Sequence, residues 1–196
     1  MNWILLTVLL ILFFLVYYYT VLVQRFLFFT SGFLPVRFIK INNQPYLERY
    51  YLCKVLGFTF YLHRFVSGDS ERSVHNHPWK SGGSLVLCGS YVESRVVDIC
   101  PWADETGCIL KTHVVSVYNA VNGNVFHRID TAMPNTWTLF FHSEKLTKKH
   151  WGWLSREYVG GELVTLFKTH PNVTPNNWWK KAPIGNLVPR CPRDIG

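Results

Sequence analysis

Three histidines carry most of the chemistry this sequence offers. His75 and His77 sit two residues apart in SVHNHPWK, and His127 follows about fifty residues later in GNVFHRI. In an extended strand, residues two apart project from the same face, so both imidazoles of the pair can converge on one point. A third imidazole from a later strand can meet them there. Three neutral imidazoles suit a divalent transition metal of the Fe, Zn, Mn or Ni type. Coordination positions left open would let the ion hold substrate or dioxygen, or activate water. A lone H-x-H pair is common at surfaces and in cores, and three histidines can also hydrogen-bond within a cavity that holds no ion. The pair, a turn and a third histidine in a β-like run are together more specific.

Other side chains are weighed around that centre. Tyr91 and Glu93 share one face of the next β-like run. Glu93 then offers either a carboxylate ligand or a structural ion pair, and Tyr91 a contact to a bound small molecule. His142, ending another such run, is a second candidate for substrate contact at the mouth of the domain. Arg64 and Arg72 flank the histidine pair and suit an acidic substrate or plain solvation. Arg128 alternates away from His127 and reads as an ion-pair partner, while His63 and His113 have no partner that the sequence identifies. Trp79, Trp137, Trp151 and Trp153 are assigned to packing. No phosphate-cradling glycine loop, nucleophile elbow or paired catalytic carboxylates occur.

The elements that must position these residues are short and β-rich. Runs at 58–65, 84–88, 91–97, 113–118, 124–129, 137–142 and 163–167 are rich in Val, Phe, Tyr, Thr or Leu and bounded by turn residues such as Ser81-Gly82-Gly83, Asn122-Gly123 and Pro134-Asn135. Seven short strands at this spacing predict a mainly β domain, a sandwich or a barrel such as a jelly roll.

The N-terminus is different in kind. Residues 1–24 carry no charged side chain, and 3–23 are all apolar, aromatic or Thr. As a helix those 21 residues span about 31 Å, the thickness of a hydrocarbon core. Tyr17, Tyr18 and Tyr19 suit the interfacial belt. A cleaved signal peptide is the alternative, but no basic residue precedes the run and no small-x-small site follows it. Arg25, Arg37 and Lys40 follow the span, which places the large domain in the cytosol by the positive-inside tendency. The five cysteines agree with a reducing compartment, although Cys100 and Cys108 bracket a turn that an oxidising space could close as a disulfide.

The chain of 196 residues, 48% hydrophobic and 16% charged, excludes a disordered protein, a collagen repeat or a coiled coil. It divides into a transmembrane anchor at 1–25, a juxtamembrane connector at 26–49, a β-domain at 50–170 and a proline-rich basic tail at 171–196. Of the net +8, +5 falls within residues 141–196. Anionic headgroups would attract such a surface, and the dispersed Lys and Arg give no motif for nucleic acid.

In its motifs the sequence resembles the cupins, specifically small cupin-like proteins with a His-x-His-Pro-Trp signature. The general first motif runs Gly, His-x-His, Glu, Gly. Here Gly68 precedes His75 by six intervening residues, one more than usual, and Gly89 stands at the closing position. Asn122-Gly123-Asn124-Val125-Phe126-His127 resembles the second motif without its Pro-x-Gly spacing. Gly89-Ser90-Tyr91-Val92-Glu93 and Trp151-Gly152-Trp153 extend the likeness, which covers roughly residues 55–155. Ser81 or Gly82 occupies the place of the motif's Glu, so the likeness implies either a three-histidine site, like the iron sites of cysteine-dioxygenase-type cupins, or Glu93 as a substitute ligand. It further implies a double-stranded β-helix (jelly-roll barrel), a small-molecule ligand, an edge-to-edge homodimer, and Fe(II) as the first choice of metal with Zn or Mn next. Iron-dependent oxygenation of a small molecule is the implied chemistry if the protein is an enzyme. The alternative is a non-enzymatic binding or scaffold module at a membrane.

Overall fold

A computed structural model of the protein describes residues 3–41, 43–68, 73–100, 107–146, 151–171 and 177–191. Its first element is one helix, α1 (Trp3–Ser31), of 29 residues. Thr7, Thr20 and Thr30 each donate their hydroxyl to the carbonyl four residues earlier at 2.9 Å, so the polar side chains of the apolar run satisfy themselves within the helix. With a mean hydropathy of 2.5 in its most apolar window, the helix is long and apolar enough to cross a membrane. At about 1.5 Å per residue it is roughly 43 Å long, more than a hydrocarbon core needs. The excess has a separate use. Val23, Leu27 and Phe28, at helical spacing, pack on a cluster of Val36, Tyr50, Leu62, Cys88 and Trp137 in the domain.

The β-structure therefore begins earlier than expected. Where the sequence suggested a connector over 26–49, the helix continues to Ser31 and two paired strands follow, β1 (Val36–Ile41) and β2 (Gln44–Val55). The alternation of β1 shows once its faces are known. Val36 and Phe38 pack outward against the helix end, while Ile39 joins the interior cluster of Tyr46, Leu47, Phe65, Tyr91 and Val115. Arginine and lysine in VRFIKI disguise this as a broken apolar run.

The remaining strands are β3 (Phe58–Phe65), β4 (Gly82–Cys88), β5 (Tyr91–Ile99), β6 (Cys108–Val115), β7 (Tyr118–Val121), β8 (His127–Ala132), β9 (Thr136–Ser143), β10 (Gly152–Val159) and β11 (Glu162–Thr169). The expected run at 113–118 straddles the break between β6 and β7, and β10 has no counterpart among the expected runs because Ser155, Arg156 and Glu157 interrupt its apolar residues. One sheet has the order β1-β2-β3-β9-β4-β7, and a second has β6-β5-β8. The hairpin β10-β11 joins the second sheet through the segment carrying His75. His75 N–H donates to the His127 carbonyl at 3.0 Å, His127 N–H returns to His75 at 2.9 Å, and Leu154 N–H donates to Val74 at 3.0 Å. The two sheets face one another around the apolar interior. The protein is mainly β with one preceding apolar helix, as expected; the expected jelly-roll barrel is not closed, and the strands form a sandwich of sheets. Gly89 makes the β4–β5 turn at φ 81° with Thr136 pressed against it, a conformation and a space that favour glycine.

Residues 177–191 wrap round the β1 edge of the first sheet. Trp178 stacks on Tyr61 at 6.2 Å and Trp179 on Tyr51 at 4.2 Å, both on the inner face, and Val36 N–H on the edge strand donates to the Pro183 carbonyl at 2.9 Å. Arg190 then caps the helix end, donating to the Phe28 carbonyl at 2.8 Å, Ser31 Oγ at 2.7 Å and the Tyr50 hydroxyl at 3.0 Å. A cation there satisfies terminal carbonyls and complements the helix dipole. Beneath it, Glu48 accepts from Tyr50 at 2.7 Å, Arg64 at 3.1 Å and Cys191 N–H at 2.9 Å. Arg64, considered above for an acidic substrate, is instead a buried structural residue on the face opposite the interior, also donating to Asn135 and the Cys191 carbonyl. Arg72 lies outside the described residues. No disulfide joins the cysteines. Cys100 N–H donates to the Gly107 carbonyl at 3.0 Å, and residues 101–106 between them lie outside the described residues.

Candidate metal centre

The backbone pairing just described assembles the centre. His75 and His127 are direct partners across an antiparallel bridge, which brings their Cβ atoms to about 5 Å. His77 follows two residues on. Asn76 between them is pinned: its Oδ1 accepts from Gly152 N–H at 2.8 Å, its Nδ2 donates to the Gly123 carbonyl at 3.3 Å, and its N–H donates to the Gly152 carbonyl at 3.0 Å. The turn feeding β8 is held by Asn124 N–H on Asn122 Oδ1 at 2.9 Å, a local side-chain turn that fixes where the strand begins.

The result is one compact group. One ring nitrogen from each of His75, His77 and His127 lies within 4.8 Å of the other two, and the three ring centroids are 5.0–5.1 Å apart. Two nitrogens bound at about 2.1 Å to one ion stand at most about 4.2 Å apart, so small ring movements bring the group to coordinating size. His77 Nε2 and His127 Nε2 are 2.8 Å apart, a hydrogen bond between imidazoles. His77 is also held flat against Trp79 at 4.2 Å, and Trp79 against His142 at 4.4 Å.

Glu93 stands behind His127 rather than within the group. It is fully buried and takes the Nδ1 of His127, leaving Nε2 turned toward the other rings. The same carboxylate receives Arg95 Nε at 2.9 Å, Asn119 Nδ2 at 2.9 Å and His113 Nε2 at 3.0 Å. Burial pushes its carboxyl up, but the contacts with His127 and Arg95 outweigh burial and hold it below its ordinary range. An ionised carboxylate on the far nitrogen of a histidine sets its tautomer and raises its basicity as a ligand. Of the two roles open to Glu93, direct ligand or ion pair, the geometry shows the ion pair.

Tyr91 faces the cavity with its hydroxyl accepting from Asn119 Nδ2 at 3.0 Å, and burial pushes it up to about 12, so it stays protonated. His142 is not in the cavity wall. It lies behind Trp79, with burial pushing it down to about 4. His113, without a visible partner in the sequence, is opposite Glu93 in register. His63 accepts from Arg49 Nε at 3.0 Å and stacks on Phe140 at 4.8 Å; burial, then Arg49, hold it well below the usual histidine range. Arg128 donates to Asp130 at 2.7 Å, an ion pair as expected. Asn76, Arg49 and Asn119 are contributors that no local sequence signal singles out, since their roles depend on cross-strand register.

A cavity of about 90 Å³ opens onto the three histidines, walled by Ile39, Tyr46, Leu47, Phe65, Tyr91, Val121, Ile129 and Phe140 together with Arg49 and His63. Fold and site together define a β-sandwich with a three-histidine cluster on its inner face and one long apolar helix at its N-terminus. No protein-family model matches the sequence, and none of the curated proteins does. Among solved structures it is similar to the crystal structure of Fe(II) HppE, at 13% identity and TM-score 0.41 over 57% of this chain and 56% of that one. It is also similar to oxalate decarboxylase from Bacillus subtilis at pH 4.6 (13%, TM-score 0.43, over 63% and 30% of the two chains). Streptomyces albus HEPD with 2-hydroxyethylphosphonate and Fe(II) bound matches at 11% and TM-score 0.42, over 57% and 24%. The matched part spans about half the length of the first protein and a quarter to a third of the others. Likeness at this level carries no argument about chemistry.

Proposed function

We propose that this protein is a membrane-anchored metal-binding protein in which His75, His77 and His127 hold a divalent transition metal facing a small-molecule cavity. Iron(II) is the first choice, and zinc or manganese the next. The observation that carries the reading is the convergence of three imidazole nitrogens within 4.8 Å, with the far nitrogen of His127 fixed by a buried carboxylate. Metal-ligating histidines characteristically have such a partner. An ion in this position supplies Lewis acidity and open coordination sites at which a small molecule and dioxygen can meet. Iron-dependent oxygenation of that molecule is the reaction class we favour.

The chain's own residues then have defined tasks. Glu93 keeps His127 presenting Nε2, and Trp79 keeps His77 from rotating away. Phe65, Phe140, Leu47 and Ile129 exclude bulk water from the cavity, and the Tyr91 hydroxyl, protonated across the physiological range, adds a polar group to its wall. Helix α1 is the anchor. Arg25 near its C-terminal end and Arg37 and Lys40 beyond it support a cytosolic domain by the positive-inside tendency, and the cytosol supplies ferrous iron.

One observation favours a second reading. The bond between His77 and His127 at 2.8 Å satisfies two of the rings without an ion, as a non-enzymatic binding or scaffold module would need. Metal analysis of full-length protein purified in detergent without chelators separates the two. A stoichiometric transition metal that disappears in His77→Ala supports the metal centre; a metal-free, fully folded wild type that takes up no added Fe(II), Zn(II) or Mn(II) supports the module.

A further inference from the structure

The cavity wall holds a pair of hydroxyls that the fold does not use up. Phe140 on β9, Ser84 on β4 and Asn119 on β7 are consecutive in one register row of the first sheet, and all three line the cavity. Tyr91, on the second sheet, reaches across to that row. Its hydroxyl accepts from Asn119 Nδ2 at 3.0 Å and is hydrogen-bonded with the Ser84 hydroxyl. The protons can be counted. Asn119 donates to Tyr91 and so consumes neither hydroxyl proton, and a bond between the two hydroxyls consumes one. Among the described residues neither hydroxyl has another acceptor, so one O–H is left over. Tyr91 and Ser84 are only 3% and 6% exposed. A buried donor of this kind is costly unless something in the cavity accepts from it.

The rest of the wall decides what that acceptor belongs to. Ile39, Leu47, Phe65, Val121, Ile129 and Phe140 surround the hydroxyl pair with apolar surface. The charged groups of the wall already have partners. Glu93 receives His127, Arg95, Asn119 and His113. Arg49 gives its Nε to His63 at 3.0 Å and lies over the Tyr61 ring at 5.4 Å. Because an arginine nitrogen only donates, His63 accepts through Nε2 and its ring is neutral. A charged ligand would surrender its hydration to apolar surface and to charges that are engaged elsewhere. The volume sets the scale. A cavity of about 150 Å³ holds benzene, so one of about 90 Å³ encloses roughly four heavy atoms, with further room at its mouth.

We infer that the cavity takes a small uncharged molecule, an apolar body bearing one hydrogen-bond acceptor such as a carbonyl or ether oxygen, and that the Tyr91–Ser84 hydroxyl pair donates to that oxygen. Asn119 is the positioning residue: by donating to Tyr91 it turns the spare hydroxyl proton away from itself. Presenting the bound molecule to an ion at the histidine cluster rests on the metal-centre reading; the selectivity of the cavity does not.

The test uses full-length protein in nanodiscs of uncharged lipid, stripped of metal and again with Fe(II) restored under anaerobic conditions. Butanone and propionate are titrated by ligand-observed NMR, with empty nanodiscs subtracted. The two probes have the same shape, a methyl group of one standing where the other has an anionic oxygen. In the metal-stripped wild type, butanone should bind saturably and at least about tenfold more tightly than propionate. Removing both hydroxyls in Tyr91→Phe/Ser84→Ala should weaken butanone about five- to tenfold, and Tyr91→Phe alone a few-fold. Val121→Phe, which fills the cavity, should abolish binding. The single Tyr91→Phe keeps the test decisive should either of the other variants fail to fold. Propionate binding as tightly as butanone, butanone affinity unchanged by loss of the hydroxyls, or no saturable butanone binding overturns the inference. Metal content measured on the same samples keeps the two readings apart. His77→Ala should lose its metal and retain butanone binding, whereas a wild type that binds butanone but takes up no metal sinks the metal centre alone.

Discussion

On the outer face of the six-stranded sheet, Glu48 and Arg64 are buried together with Tyr50 and Ser31, and their hydrogen bonds run to one another, to Asn135, to Arg190 and to Cys191. On the inner face the polar groups include His63 and His142, held neutral by burial, Arg49 in the cavity wall, and a Trp79 Nε1 that is buried with no hydrogen-bond partner among the described residues. Both faces are rich in aromatic rings and both bury charge or potential charge. They differ in how completely the protein satisfies them. A saturated network, as on the outer face, fixes structure: here it locks the end of α1 and the C-terminal strap to the sheet, so helix and domain are joined by packing and not only by chain connection. An arrangement with neutral imidazoles facing a cavity keeps its chemistry available to something else.

The comparison can be broken most decisively at the inner face. His77→Ala should abolish stoichiometric metal binding while leaving the far-ultraviolet circular dichroism of the domain unchanged; retained metal would move the centre elsewhere. On the outer face, Glu48→Ala leaves the Arg64 guanidinium buried without its carboxylate and should cost about 3–5 kcal/mol in denaturant unfolding. A loss below about 1 kcal/mol there would mean that the network does not hold the helix end as described. Replacing both partners together, Glu48→Leu with Arg64→Met, should recover most of that loss.

Acid should act through the inner face first. His142 has a folded-state pKa of about 4, against an ordinary 6.5, because burial disfavours its charged form. The unfolded chain therefore binds the extra proton across that interval. The stability that goes with a neutral His142 is fully present above pH 6.5 and is lost as pH falls toward 4. Allowing for partial solvent access, the loss is about 2–3 kcal/mol. His142→Phe, which preserves the stacking on Trp79, should flatten the stability profile between pH 6.5 and 4, and an unchanged slope would remove His142 from the account.

Smaller effects sharpen the same contrast. Glu93→Gln keeps the shape beside His127 but removes the charge, and should weaken metal affinity about 10–100-fold without removing the site. Metal affinity equal to wild type would show that the carboxylate serves folding alone. At the surface, Lys54 and Glu144 form a 2.6 Å ion pair whose members are both exposed. Lys54→Gln should leave the unfolding midpoint within experimental scatter; a clear drop would mean that solvated pairs contribute here as much as the buried network does.

Much of the site was legible because its cue is local. H-x-H spacing marks two rings on one side, and the turn Asn122-Gly123-Asn124 leading to His127 marks the arrival of the third. The strands at 58–65, 91–97 and 137–142 were legible from alternation and β-branched or aromatic content. The first two strands were not, because Arg37, Lys40 and Arg49 interrupt their apolar residues and 26–49, following the apolar run, reads as a juxtamembrane connector until the sheet beneath is seen. Glu93 illustrates the boundary. Its face was readable from spacing with Tyr91, but whether it meets an ion or the back of a histidine depends on the pairing of β5 with β8.

The order of residues by itself determined an uncharged run long enough to cross a membrane, a β-rich domain after it, and three histidines spaced to meet. These follow from composition and periodicity, which act over a few neighbouring residues. Tertiary structure alone decided that the helix runs on to dock against the sheet, that Arg64 and Glu48 belong to that joint, and that Glu93 stands behind His127. Each of those outcomes depends on strand register, and register is fixed by contacts between residues far apart in the chain.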